Sequence, residues 1–278
     1  MPDGNLAAQV TPGGYIGSRI DASRPNIARV YDYLLGGKDN FEADRELGDK
    51  MKIALPQVRL GVEQQRAVLR RAVRHLVGEA GIRQIIDIGS GLPTAGNVHE
   101  VADEVSPGTR VVYVDNDPVV LAHARALMAN NKTTIAIGGD VRQPAEILSD
   151  PELTGLIDLD KPVGLLLCGI LHHILDDEEP AGITAAYRAA LPSGSYVFIH
   201  HLVANGDPSV APAQAELQQG TGRGQFRPIE QIEQFFEGLE LVSPGVVSVA
   251  EWRPEPDTPS AVDNPVLRLA VAGLGRKP

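Results

Sequence analysis

The chain has 278 residues and a formal net charge of −11, with 43% hydrophobic and 22% charged residues. A composition so near the soluble globular average excludes a fibrous repeat and wholesale disorder, and the acidic balance argues against general attraction to nucleic-acid phosphates or anionic lipid. Cys168, the single cysteine, excludes an intrachain disulfide and a multi-cysteine metal site; with no signal-peptide pattern and no apolar run near the ~20 residues that span a bilayer, a cytoplasmic protein is expected.

Residues 1–24 are rich in Gly, Pro, Asp and Ser and lack periodicity, which predicts a flexible leader. Residues 25–82 read as an N-terminal helical cap. In PNIARVYDYLLGG, Pro25 stands near a helix start, Ile27, Val30, Tyr31 and Leu34 recur at three- and four-residue steps, and Gly36-Gly37 stops the pattern. A longer helix follows Pro56. Leu69, Val73, Leu76 and Val77 form its apolar stripe, and Arg66, Arg70, Arg71 and Arg74 are assigned to solvated faces, with attraction of an anion as the alternative. Gly78 and Gly81 end the helical pattern.

Over residues 83–278, strand and helix patterns alternate, which predicts a parallel sheet covered on both faces. Strands are expected at Gln84–Ile88, Arg110–Asp115, Thr133–Gly138, Val163–Cys168 and Tyr196–His200, with helices near Ala95–Val105, Val119–Asn130, Gln143–Leu148 and Pro180–Leu191. Past Pro228, IEQIEQFFEG predicts another helix. Leu239–Val242 and Val266–Ala272, separated by the Pro-rich RPEPDTPSAVDNP, predict an antiparallel edge. The expected fold class is therefore α/β: a Rossmann-like, doubly wound, mostly parallel seven-stranded sheet with an antiparallel edge and an N-terminal helical extension.

Ligands of such sheets lie beyond the carboxyl ends of the strands. The first strand ends in Asp87-Ile88-Gly89-Ser90-Gly91, whose glycines permit a tight turn and the close approach of a ligand. The second ends in VYVDNDP and sets Asp115, 24 residues beyond Gly91, where a carboxylate can accept both hydroxyl hydrogens of a ribose. The third ends in GGDV, so Asp140 can accept from an adenine amino group while the Val141 N–H reads the adjacent ring nitrogen. Helix capping by Asp115 and turn closure by Asp140 are the alternatives for each residue alone. A dinucleotide fingerprint wants a third glycine three residues after the second. Thr94, preceded by Pro93, stands there, which weakens the case for a pyrophosphate and suits a ligand without phosphates, such as S-adenosylmethionine.

In that order DIGSG, VYVDNDP, GGDV and LLLCGILHHILDDEEP resemble the four motifs of class I S-adenosylmethionine-dependent methyltransferases, over about Gly81 to Pro278. The whole chain further resembles an actinobacterial methyltransferase family long catalogued as a domain of unknown function, through RPNIARVYDYLLGGKDNFEAD at the front and FRPIEQIEQFFEGLELVSPGVV and GRKP at the back. The resemblance implies S-adenosylmethionine as cofactor, with S-adenosylhomocysteine as product. It implies that Gly89, Ser90 and Gly91 line the methionyl part and that Asp87 orients the loop or the amino group. It also implies that Asp115, with Asn116 beside it, holds the ribose, that Asp140 and Val141 frame the adenine, and that Cys168 and Gly169 run beneath the sulfonium end. Leu92-Pro93 depart from the motif's usual third glycine, which bears on the path of the loop around the methionyl end.

The sulfonium already carries an activated methyl group, so the enzyme mainly aligns a nucleophile and, for a hydroxyl, removes its proton. His172 and His173 after the fourth strand are the candidate bases, with His200 and His201 after the fifth near the same crevice mouth; half-buried polar residues at strand ends are the alternative reading. No metal is expected, since HExxH is absent and LDDEEP reads as an exposed acidic turn before a helix. YDYLLGGKDNF is read as a lid in which Tyr31, Lys38 or Asn40 touches the cofactor. GTGRGQFRP is read either as an ordinary flexible surface loop or as a second lid, with Arg223 and Phe226 enclosing an acceptor that bears a negatively charged or polar group. Three functions fit these motifs: a small-molecule methyltransferase, favoured by the ordered motifs and the acidic surface; a non-catalytic S-adenosylmethionine binder; and a nicotinamide dinucleotide oxidoreductase, which Thr94 disfavours. No nucleic-acid or membrane partner is expected.

Overall fold

The computed structural model describes residues 20–93, 96–204, 206 and 210–278. The expected leader up to residue 19, Thr94 of the altered fingerprint, and the predicted helix start at Ala95 lie outside the described residues.

Three helices build the cap. α1 (Ile27–Leu34) starts where the Asn26 side chain accepts from the Ala28 N–H. α2 (Glu42–Ala54) is not in the expected element set; its sequence EADRELGDKMKIA is mostly polar and buries little beyond Leu47. α3 (Val58–Arg74) runs on through a π turn at His75–Glu79. Of the arginines assigned to solvated faces of α3, Arg71 is instead buried and donates to the Trp252 and Val249 carbonyls.

The core continues as β1 (Gln84–Ile88), α4 (Val98–Val105), β2 (Arg110–Asp115), α5 (Pro118–Met128), β3 (Thr134–Gly138), α6 (Pro144–Leu148), α7 (Pro151–Leu156), β4 (Gly164–Cys168), α8 (Pro180–Ala190), β5 (Tyr196–Leu202), α9 (Val210–Thr221), α10 (Ile229–Gln234), β6 (Glu240–Leu241), β7 (Val247–Ser248) and β8 (Ala270–Arg276). The sheet order is β3-β2-β1-β4-β5-β8-β6; β1 to β5 pair in parallel, and β8 runs antiparallel to β5, β6 and β7. The described residues thus form eight strands where seven are expected. The extra one, β7, is two residues long and carries no periodicity to read. Val266–Ala272 divides between a 3-10 turn at Pro265–Leu269 and the start of β8.

Successive strand residues enter opposite cores, as the period of two requires. Ile85 and Leu166 pack under α3 and α4, while Ile86, Leu165 and Leu167 pack in the cluster on the other face. The chain leaves β1 toward β2 and β3 on one side and returns to β4 on the other, so the loops at the carboxyl ends of β1 and β4 diverge and open a crevice.

Candidate functional site

The crevice encloses about 960 Å³ of empty space, open solvent at its mouth included. Its floor is the β1 turn. Gly89 and Gly91 both adopt positive φ, at 71° and 67°, and the Gly89 and Ser90 N–H groups donate to the Val114 carbonyl. Asp115 at the end of β2 ties this turn down: one carboxylate oxygen accepts from the Gly91 N–H at 2.9 Å, the other from the Asp117 N–H at 2.9 Å. Leu92, which with Pro93 departs from the motif's usual third glycine, is buried against Val119 and Val120 of α5 and against Ala28 and Phe41 of the helical extension.

Of the residues expected to contact cofactor, Asp87, Gly89, Ser90, Gly91, Asp115, Asn116, Val141, Cys168, Gly169 and Tyr31 line this one crevice, and His173 joins them. Asp140 does not. Its carboxylate is clamped by Arg142, whose backbone N–H, Nε and Nη2 all donate to it, which closes the turn locally. Lys38 and Asn40 are also outside the lining. Asn40 donates to Asp32 at 2.8 Å and to the Gly37 carbonyl, and a Cβ on Gly37 would fall 1.9 Å from the Asp32 carboxylate, so GGKDN is a turn wound tightly around Asp32.

Gln65, Arg66 and Leu69 of α3 enter the crevice without having been expected there. Val62, Gln65, Arg66 and Leu69 obey the i, i+3, i+4, i+7 rule, so the spacing already put the two polar residues inside the apolar stripe. Arg66 donates to the Leu92 carbonyl at 3.2 Å and lies 5.8 Å from the Tyr31 ring centre, and its buried Nε meets no acceptor among the described residues. Burial raises Asp87 to about 7, against the pull of Arg66 and with a push from Asp115; burial likewise raises Asp115 to about 6, against its two backbone donors. Burial and Asp87 push the Cys168 thiol up to about 12, which leaves it protonated and unreactive.

The four histidines expected at the mouth divide. His201 is held on both nitrogens, Nδ1–H donating to the Leu202 carbonyl at 2.7 Å and Nε2 facing Arg227 at 3.0 Å. His172, His173 and His200 face an adjoining cavity, and of the three only His173 also lines the first crevice. The buried Arg227 clamps the loop after β4, donating to the Leu171 and Ile174 carbonyls and pairing with Asp176. Arg223 bonds the His173 carbonyl and Glu178, and Glu178 also pairs with Arg142. LDDEEP is, as expected, an exposed acidic turn before α8, and it also anchors three arginines; Arg223 holds the histidine loop instead of lining either cavity. Phe226 does line the second cavity.

The sequence profile of the S-adenosyl methyltransferase family matches residues 15–278. The chain belongs to that family. A crystal structure from Thermobifida fusca YX, whose protein carries a provisional methyltransferase assignment, is 48% identical, with a TM-score of 0.88 over 92% of this chain and 96% of that one. A DUF574 family protein from Streptomyces avermitilis MA-4680 is 40% identical, with a TM-score of 0.89 over 94% of this chain and all of that one. An O-methyltransferase family protein from Burkholderia thailandensis, 15% identical with a TM-score of 0.54 over 82% of this chain and 59% of that one, shares the fold. Among curated proteins none matches. No described helix of this methyltransferase-family chain is long and apolar enough to cross a membrane.

The burial that shapes the family member's site also sets its acid stability. His173 and His200 are lowered to about 4 and His201 to about 3, and burial beside the other histidines puts His172 well below its ordinary value. Below about pH 6.5 the unfolded chain protonates all four while the native chain does not, so each contributes stability that is lost on acidification. Asp87 and Asp115, raised above their unfolded values, oppose this by binding protons in the native state as pH falls through about 7 and 6. Four groups outweigh two. The urea midpoint should fall as pH is lowered from 6.5 to 4.5, and His75 and His99, also lowered by burial, act in the same direction; a flat or rising midpoint over that range would contradict the burial of the histidines.

Proposed function

We propose that this chain is a cytoplasmic S-adenosylmethionine-dependent methyltransferase acting on a small-molecule acceptor, with residues 25–82 as a cap over a cofactor-binding core at 83–278. The observation that carries the reading is the convergence of Gly89–Gly91, Asp115, Asn116, Val141, Cys168 and Gly169, from the ends of four parallel strands, on one crevice. The charges in it suit a nucleoside without phosphates. Three buried carboxylates, Asp32, Asp87 and Asp115, would repel a pyrophosphate, and among the described lining residues Arg66 is the one Lys or Arg, with a buried nitrogen that meets no described partner.

In this reading Asp115 accepts from the ribose hydroxyls, the Val141 backbone reads the adenine edge, and Asn116 flanks the ribose. Arg66 meets the carboxylate of the methionyl end and Asp87 its ammonium group, while Cys168 and Gly169 run beneath the sulfur. The cofactor, when bound, supplies a methyl group activated for transfer. His173 lines both cavities and is neutral at pH 7, so it serves as the base that takes the proton of an acceptor hydroxyl, with His172 packed 4.3 Å from it, ring centre to ring centre, to orient it.

Asp115→Ala tests the reading. It removes the ribose acceptor together with the tie to the Gly91 N–H, and should weaken binding of S-adenosylhomocysteine by roughly 1.5–3 kcal/mol, as expected for hydrogen bonds to a charged group. Titration calorimetry that returns the parent affinity from a folded variant would remove the ribose assignment.

A further inference from the structure

The second cavity opens beside the first, and Ile27, Tyr31, Gln65, Gly169 and His173 line both. It encloses about 810 Å³ of empty space, open solvent included. Far from the junction its walls are Leu55, Val58, Leu217, Phe226 and Val266, and no Asp, Glu, Lys or Arg is among its described lining residues. Its polar groups are few. The Tyr31 hydroxyl is committed to the Val62 carbonyl at 3.0 Å, and Gln65 reaches toward the Cys168 sulfur at 3.9 Å. His200, fully buried, finds no partner in any other described residue for either ring nitrogen, and His172 finds none for Nδ1.

We propose that this cavity is the acceptor chamber and that it takes an uncharged, largely apolar small molecule whose hydroxyl group is the methyl acceptor, held by hydrogen bonds to His200 and His172. The inference rests on the reading of the first crevice as the nucleoside site. An anionic acceptor would have to shed its hydration against walls that carry no countercharge, at a cost of several kcal/mol. An aliphatic amine would enter protonated at neutral pH, with no lone pair and no carboxylate to meet it. A hydroxyl group enters neutral, its oxygen can accept from the N–H of a neutral imidazole, and its own proton stays free to pass to His173. In the transfer, the acceptor oxygen forms a bond to the methyl carbon as the carbon–sulfur bond breaks and its electron pair stays on sulfur. The hydroxyl proton passes to His173 and from there to solvent. Arg223, which pairs with Glu178 outside the chamber, holds the His173 loop and does not meet an acceptor anion as the sequence suggests.

The test uses 1-naphthol and the anionic 1-naphthoate as probes, titrated calorimetrically into the full chain saturated with S-adenosylhomocysteine. 1-Naphthol should bind and 1-naphthoate should bind at least about tenfold more weakly, a difference of about 1.4 kcal/mol. Leu217→Trp, which fills the chamber, should abolish naphthol binding and leave S-adenosylhomocysteine affinity unchanged. His200→Leu should raise the melting temperature of the free protein, because it removes a buried group with unpaired nitrogens, yet weaken naphthol at least about tenfold; a residue that only supports the fold would lower the melting temperature. Equal binding of the two probes, or naphthol binding that survives Leu217→Trp, would overturn the inference. Failure of the parent to bind S-adenosylhomocysteine overturns the nucleoside reading and this inference with it, whereas S-adenosylhomocysteine bound without naphthol overturns this inference alone.

Discussion

Replacing Arg29 by alanine is expected to cost about 3 kcal/mol of folding stability, toward the lower end of the penalty for removing one partner of a buried ion pair. Arg29 is 3% exposed. Its Nε donates to Asp44 at 2.9 Å, its Nη1 to Asp117 at 3.0 Å, and its Nη2 to the Asp21 and Arg24 carbonyls. One side chain thus joins α1, α2 and the N-terminus of α5, where Asp117 caps the helix next to the crevice. The alanine variant would leave two buried carboxylates facing each other's elements without a cation. Each keeps two backbone donors, Asn26 and Phe41 for Asp44 and Val119 and Val120 for Asp117, which is why the larger penalty is not expected. Because Asn26, Ile27, Ala28 and Tyr31 line the crevice, S-adenosylhomocysteine affinity should fall together with the urea midpoint. A loss under about 1 kcal/mol would mean that the backbone donors satisfy both carboxylates unaided.

Gly91→Val is expected to leave a folded protein with S-adenosylhomocysteine binding weakened by about a hundredfold or more. The backbone at Gly91 has a φ of 67°, and a Cβ there meets nothing within 4 Å. The protein therefore has room for the side chain, and the room is crevice. Strain from a β-branched residue at positive φ costs about 1–3 kcal/mol of stability. Methyl groups forced into an occupied site cost about 1–3 kcal/mol more against the ligand, and about 2.7 kcal/mol is a hundredfold in affinity. Gly89 gives the contrast. Its Cβ would stand 2.8 Å from the Ile170 side chain, so Gly89→Val should show its damage in the fold before it shows it in binding. Circular dichroism with titration calorimetry separates the two, and a Gly91→Val protein that binds within about tenfold of the parent would place the ligand off this turn.

Most of the sheet was legible because it is written locally. Apolar runs of five or six residues ending in DIGSG, VDNDP and GGD announce buried strands with turns after them, and β1 and β2 coincide with their expected bounds. The polar α2 and the two-residue β7 escaped, since neither carries a hydrophobic period of its own; α2 is helical because the cap packs around Leu47, and β7 is a strand because β8 offers it an edge.

For the site, the sequence by itself determined which residues stand at strand ends, and that was enough to bring Gly89, Gly91, Asp115, Asn116, Val141 and Gly169 to one crevice. Only the tertiary structure decided which of the remaining polar groups are already occupied. Asn40 is taken by Asp32 and Arg223 by Glu178, while Arg66 keeps a buried nitrogen with no partner among the described residues. His200 and His201 show the reason most directly. Adjacent on β5, they must face opposite sides of the sheet, but nothing local says that one side holds Arg227 and the other a cavity. Periodicity reports the direction of a side chain, and its partner comes from segments far away in sequence, by way of packing.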